Sequence, residues 1–203
     1  MKQIHLIMPF SRPENKQRLI DGYRPMDIHL HPIMFQDEET EWNEPWIFPV
    51  TIPMTDDKCL SFMPGCFKRN WFIQNADIAG EDYYVNVDDD DFYEDGVFQK
   101  IKQMDDDVVI ISMKRGNHIP VGLPKERQYP IDTLYASSYN MKVGEVSTQQ
   151  PFVKGRLYGE KLHNETVHHW DGLLAIYWKN TAQVRYEPDL FALFNYFEKG
   201  RWE

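Results

Sequence analysis

One segment limits the possible folds more than any other: Asp82-Tyr-Tyr-Val-Asn-Val-Asp-Asp-Asp-Asp91. Its apolar run, Tyr83 to Val87, predicts a buried strand that discharges into four consecutive carboxylates. Side chains on a strand alternate between faces, so Asp88 and Asp90 are expected on one side and Asp89 and Asp91 on the other. Two carboxylates close together on one face repel, and either one takes up a proton or a cation sits between them. Open α/β sheets place their ligands at the carboxyl ends of central strands. Oxygen-only ligands at such a place suit a hard divalent ion, Mn2+ or Mg2+, shared with a substrate phosphate. The plain alternative is a solvated acidic turn.

At 203 residues the chain is long enough for one α/β domain with a real core, and a single domain over 1–203 is expected. Hydrophobic residues make up 42% and aromatics 14%, which excludes extended disorder. The formal charge of −10 argues against a general nucleic-acid binder, which would carry a basic stripe. It leaves room for a nucleotide ligand, because a bound metal changes the local sign. Cys59 and Cys66 fit no common zinc spacing and make a poor disulfide framework, so two reduced thiols are expected. The first ten residues hold too short an apolar run for a signal peptide and read as a strand. No segment reaches the apolar length that spans a bilayer, and the expected localisation is cytoplasmic. In that setting the sequon Asn164-Glu-Thr166 carries little weight.

Along the chain, Ile4 to Met8 reads as a strand and Glu14 to about Gly22 as a helix, with Ser11 and Glu14 as a capping box. Asp27 to Phe35 reads as a second strand, interrupted or ended near Pro32. Residues 36–57 read as a loop-rich insertion with a short strand at Trp46 to Ile52. Gly65 to Ala79 has helical spacing and stops at Ala79-Gly80. The acidic strand follows, then a helix over Phe92 to Met104 and a strand over Asp107 to Met113. This order predicts a nucleotide-binding half over 1–113 with a mostly parallel sheet. Residues 114–203 read as loop over Lys114 to Gln128, a strand pair over Thr133 to Val146, a helix over His169 to Trp178 and a strand over Gln183 to Tyr186.

Four constellations carry chemistry. In Pro9-Phe10-Ser11-Arg12, backbone N–H groups at a helix start favour anions, beside a serine and an arginine. Lys68-Arg69-Asn70 offers a basic pair that could reach a diphosphate or a base, or else a solvent-facing basic patch. The acidic strand end is the third. The fourth, His168-His169-Trp170-Asp171, suits metal ligation or general-base work, although Asp171 also reads as a helix cap. There is no Gly-x-Gly-x-x-Gly, Gly-Lys-Ser/Thr, His-Glu-x-x-His or Gly-x-Ser-x-Gly.

Taken in chain order, these pieces resemble the nucleotide-sugar-dependent glycosyltransferases of the A fold, and among them the inverting family 2. The resemblance rests on Pro9-Phe-Ser-Arg12, on Lys68-Arg-Asn70 and on Ala79-Gly-Glu-Asp-Tyr-Tyr-Val-Asn-Val-Asp88-Asp-Asp90, and is most specific over 66–96. It implies a three-layer α/β sandwich with a nucleotide-binding central sheet, and makes residues 114–203 the acceptor half. It also implies a donor site built from Pro9, Ser11, Arg12, Lys68, Asn70, Asp88 and Asp89. A Mn2+ or Mg2+ ion would be held by Asp90 and Asp88, with His169 as a further ligand. The family's acidic pair at a helix start corresponds to His169-Trp170-Asp171, which makes Asp171 the base toward a saccharide or other hydroxyl acceptor. The glutamate of that pair is missing, and so is the family's Gln-x-x-Arg-Trp motif. Two other readings stay open: a sugar nucleotidyltransferase, whose usual glycine-rich opening loop Pro9-Phe-Ser-Arg12 lacks, and an inactive carbohydrate- or nucleotide-binding relative.

Overall fold

A strand with apolar residues on both faces must be covered on both sides, and β1 (Ile4–Pro9) is such a strand. The computed structural model describes residues 2–53, 64–115, 132–141, 146–160, 170–194 and 196. In it Ile4, Leu6 and Met8 of β1 enter one core and Ile7 enters a second. α1 (Lys16–Tyr23) and α3 (Val97–Lys102) cover the first through Leu19, Ile20, Tyr23, Phe98 and Ile101. α2 (Pro64–Asn75) and α5 (Trp170–Thr181) cover the second through Phe72, Ile73, Leu174, Ala175 and Trp178. Helices thus lie on both faces of a sheet, as the sequence predicts for a three-layer α/β fold.

The other strands are β2 (His29–Phe35), β3 (Val50–Ile52), β4 (Tyr83–Asn86), β5 (Phe92–Tyr93), β6 (Val108–Arg115), β7 (Asp132–Leu134), β8 (Pro151–Lys154) and β9 (Val184–Phe194). They join in the order β3-β2-β1-β4-β8-β6-β9-β5, with β7 beside the end of β6. β1, β2, β3 and β4 are mutually parallel, and β6 and β9 run the same way; β5, β7 and β8 oppose them. β8, from beyond residue 113, lies between β4 and β6, so both halves of the chain build one sheet. From β1 the chain winds outward to β2 and β3, and then returns to place β4 on the other side of β1. In open α/β sheets such a reversal is where a ligand crevice forms, which here falls at the carboxyl ends of β1 and β4.

Several local expectations are corrected. β2 runs through Pro32 rather than stopping there. Leu30 exchanges hydrogen bonds with Trp46 and Phe48, and Pro32, two residues on, faces the same side. By register it meets Pro49, in the gap between the Leu30–Ile47 bridge and β3, so no ladder bond needs its missing N–H. α2 ends at Asn75, where the Asn75 amide bonds the Trp71 carbonyl (2.8 Å), rather than at Ala79. Phe92–Met104 is not one helix: β5 pairs with β9, and Gly96 (φ 82°) then turns the chain into α3. Ser11 caps nothing; the single turn Pro13–Asn15 starts without a side-chain cap.

Of the strand pair expected over Thr133–Val146, the described residues show β7, which joins β6, and a turn at Ser137–Asn140, while 142–145 lie outside the described residues. β8 is new relative to the sequence reading, and β9 extends well past Tyr186 by bulging around Pro188. Ser112 Oγ bridges that bulge, donating to the Pro188 carbonyl (2.8 Å) and accepting from the Ala136 N–H (2.9 Å). Where β8 meets α4 (Gly155–Tyr158), a Cβ on Gly155 would lie 2.1 Å from the Ala79 carbonyl oxygen, so only glycine fits.

Candidate functional site

β1 delivers Pro9 to the sheet end, and the Phe10 N–H bonds the Ile33 carbonyl (2.9 Å), aiming Ser11 and Arg12 across the top of β4. On β4 the strand pairing ends as the Val87 N–H meets the Ile7 carbonyl (3.1 Å). Beyond it the four aspartates form a turn, closed by the Asp91 N–H on the Asp88 carbonyl (3.1 Å) and the Asp88 N–H on the Asp91 carboxylate (3.2 Å). The strand-like alternation expected of them is therefore corrected: a turn gives each carboxylate its own direction and its own partners.

Asp89, its side chain 3% exposed, accepts from the Ser11 N–H (2.7 Å), the Arg12 N–H (2.9 Å), the Ser11 hydroxyl (3.3 Å) and the Arg12 guanidinium (2.7 Å). The anion that the Ser11–Arg12 backbone was expected to hold is thus one of the chain's own. The same Arg12 nitrogen reaches Asp90 at 2.7 Å. Asp88, 46% exposed, is bonded by Arg69 at 2.6 Å. Asn15 and Tyr23 secure the turn's backbone by donating to the Asp89 and Asp91 carbonyls. Like-charge repulsion is relieved by two guanidinium groups and a cluster of N–H donors.

Burial raises the Asp90 pKa, Arg12 pulls against it, and Asp88 and Asp89 push it further up. For Arg12 and Arg69, burial works against the charge, but the facing carboxylates outweigh it and both pKa values are raised.

Lys68 and Arg69 are both buried and both point inward from α2, which removes the solvent-facing alternative. Lys68 Nζ donates to the Phe10 carbonyl (2.8 Å) and Glu38 (2.7 Å) and lies 4.8 Å from the Phe35 ring centroid. It ties the ends of β1 and β2 together beneath the crevice. Asn70 is buried beside them. Arg69, read from the sequence as half of a basic pair facing a diphosphate or a base, instead holds the most open carboxylate of the turn. Its signal was the stripe Cys66, Arg69, Asn70, Ile73, whose spacing marks a single buried helix face.

Asp171 stands in the first turn of α5, its carboxylate accepting the Gly172 N–H (2.9 Å). It lines a small cavity with Asn86, Thr148, Pro151, Val153, Tyr158, Leu174 and Trp178. Asn86 is the last residue of β4, two before Asp88, so that cavity adjoins the root of the acidic turn. Tyr158 is buried, its hydroxyl on Asn86 (2.5 Å) and its ring stacked on Tyr84. Tyr135 and Tyr139 are exposed, but their loop is tied to Lys179, at the far end of α5 from Asp171. His169, and with it the predicted histidine ligand, lies outside the described residues.

Among the described residues no three His, Cys, Asp or Glu side chains gather into a metal-holding group. Asp89 is fully engaged by donors and makes a poor ligand. Asp88 and Asp90 are two carboxylates on one turn, each bonded to a single arginine. Such a pair fits Mn2+ or Mg2+ in the manner of an ion completed by substrate phosphates and water, rather than a protein cage. No described helix is long and apolar enough to cross a membrane.

The sequence matches no family model and no curated protein. Among solved structures, a UTP-bound UGPase from Acinetobacter baumannii is similar over 95% of this chain and 88% of that one, with 10% sequence identity and a TM-score of 0.49.

Proposed function

We propose that the crevice between the ends of β1 and β4 binds a nucleoside-diphosphate sugar, and that the chain transfers the sugar to a hydroxyl acceptor with inversion. The observation that carries this reading is the turn Asp88–Asp91, locked by Arg12 and Arg69 at the reversal point of the sheet, with Asp171 lining a cavity at its root. A carboxylate pair kept together by cations at a ligand-binding position has a use that a solvated turn lacks. Asp88 and Asp90 would hold Mn2+ or Mg2+, which when bound neutralises the charge that grows on the departing diphosphate. The Arg12 side chain, 45% exposed, has further N–H donors with which to meet phosphate oxygens. Asp171 takes the proton of the attacking hydroxyl as the new glycosidic bond forms. Asp89 and Lys68 act on the donor only indirectly, by fixing the Phe10–Arg12 loop.

Calorimetry with UDP and GDP, each with and without Mn2+, tests the site. Asp90→Asn is expected to abolish metal-dependent binding and Asp88→Asn to weaken it; unchanged affinity in both variants rejects the site. Asp171→Asn is expected to bind donor normally and to lose transfer, and wild-type rates in that variant would reject the base. Pyrophosphate release from a nucleoside triphosphate and a sugar phosphate, without sugar transfer, would identify a nucleotidyltransferase instead.

A further inference from the structure

Buried N–H donors are almost always satisfied, so those that are not point to an occupant. Among the described residues, Trp42 Nε1, Arg69 Nε, Gln149 Nε2 and Trp178 Nε1 are buried without a hydrogen-bond partner. Trp178 is part of a cavity wall, and Gln149 and Arg69 each neighbour another residue of that wall. Trp178 lines the cavity shared by Asp171 and Asn86. Gln149 Oε1 accepts from Thr148 Oγ1 (3.2 Å), and Thr148 lines the same cavity. Arg69 lies within electrostatic reach of Tyr158, another lining residue.

The cavity measures about 10 Å3, the room that one water requires, and its wall includes the polar residues Thr148 and Asp171 beside the Tyr158–Asn86 pair. Asp171, Leu174 and Trp178 follow one face of α5. Helical side chains lean toward the N-terminus, so the long Trp178 side chain reaches back over Leu174 in the direction of Asp171.

We propose that this cavity is an internal water site: the water accepts a hydrogen bond from the Trp178 indole N–H, donates one to the Asp171 carboxylate and is completed by the Thr148 hydroxyl. Trp178 is then a positioning residue. It never touches substrate, but through the water it holds the carboxylate of α5 at the root of the acidic turn. The water site stands on the cavity and the unpartnered Trp178 indole on its wall; only its effect on turnover rests on the transferase reading.

The test has two arms. In wild-type protein labelled with 15N, the Trp178 indole N–H is expected to show a cross-peak to a long-lived water. An assigned indole N–H with cross-peaks to protein protons only overturns the proposal. Trp178→Phe keeps the ring and removes the donor. It is expected to lower kcat for transfer by roughly 3- to 10-fold, the worth of one water-mediated hydrogen bond, with donor KM and nucleotide affinity unchanged. Unchanged kcat in a Trp178→Phe variant that melts at a lower temperature would assign the indole a packing role and overturn the positioning claim. Wild-type protein that shows the water but no transfer would sink the transferase reading and leave the water site intact.

Discussion

Arg69 shows how much a single side chain can hold at this site. Its guanidinium is buried on α2 and spends one N–H on Asp88, while its Nε has no partner among the described residues. Removing one member of a buried charge pair strands the other, which costs about 3–5 kcal/mol in a dry interior. Asp88 is 46% exposed and would regain water, so Arg69→Met is expected to lower stability by about 2 kcal/mol. Urea denaturation measures this, and a loss under 0.5 kcal/mol would mean that the pair is not formed in solution. Nothing in the sequence marked Lys68 as buried, and the stripe that turns Arg69 inward did not show which group it would meet. Two adjacent cations on a helix usually face water, and the groups that draw these inward arrive from elsewhere: the Phe10 carbonyl from β1, Glu38 from the end of β2 and Asp88 from β4. The four aspartates, by contrast, were conspicuous as a local run, but their partners and their turn were not, because Arg12 and Arg69 are distant in sequence.

Strands β1 and β2 carry a second titratable cluster at the opposite end of the sheet from the crevice. His5 pairs in register with His29, and His5 Nδ1 meets His31 Nε2 at 2.9 Å. The His5 ring stacks on Tyr84, and its other nitrogen faces Asp82 at 3.4 Å. A hydrogen bond between two imidazoles needs one donor and one acceptor, so the pair cannot carry two full charges and keep it. Burial, reinforced by the charges of His5 and His29, pushes the His31 pKa down to about 3 from an ordinary 6.5. The unfolded chain takes up this proton below pH 6.5 while the folded chain refuses it. The contribution is therefore complete above about pH 6.5 and is lost as pH falls toward 3. Between pH 7 and 5, above the carboxylate range, His31 is expected to remove about 2 kcal/mol, read as a falling urea midpoint. His31→Gln, which keeps a hydrogen-bond partner for His5, should flatten that slope; a slope equal to wild type would clear His31 of the role. The alternation His29, Leu30, His31 was visible as a strand signature, yet only the parallel register with β1 brings the third histidine alongside.

At the scale of the molecule, the alternation of strand and helix that builds a mostly parallel sheet was legible, because apolar runs and helical spacings follow one another along the sequence. The insertion of β8 between β4 and β6 was not. That pairing joins residues near 84, 109 and 153, and no local pattern encodes it. The completed sheet has a consequence for metal dependence. Because Arg12, Arg69 and the N–H donors on Asp89 and Asp91 already relieve the repulsion within the acidic turn, the fold does not need a divalent ion to hold four carboxylates together. Chelation by EDTA is accordingly expected to leave the melting temperature unchanged in the absence of nucleotide. Addition of UDP or GDP with Mn2+ should raise it, since a ligand bound only by the native state at a hundredfold excess over Kd adds about 2.7 kcal/mol. For a chain of this size that corresponds to roughly 5–10 °C. The increment should vanish when EDTA is added to the complex and should be absent in Asp90→Asn. A fall in melting temperature on chelation of the nucleotide-free protein would show that the ion is structural and that the arginines alone do not balance the turn. An increment that survives EDTA would instead leave Arg12 and its neighbours as the whole of the phosphate site, with Asp88 and Asp90 outside it.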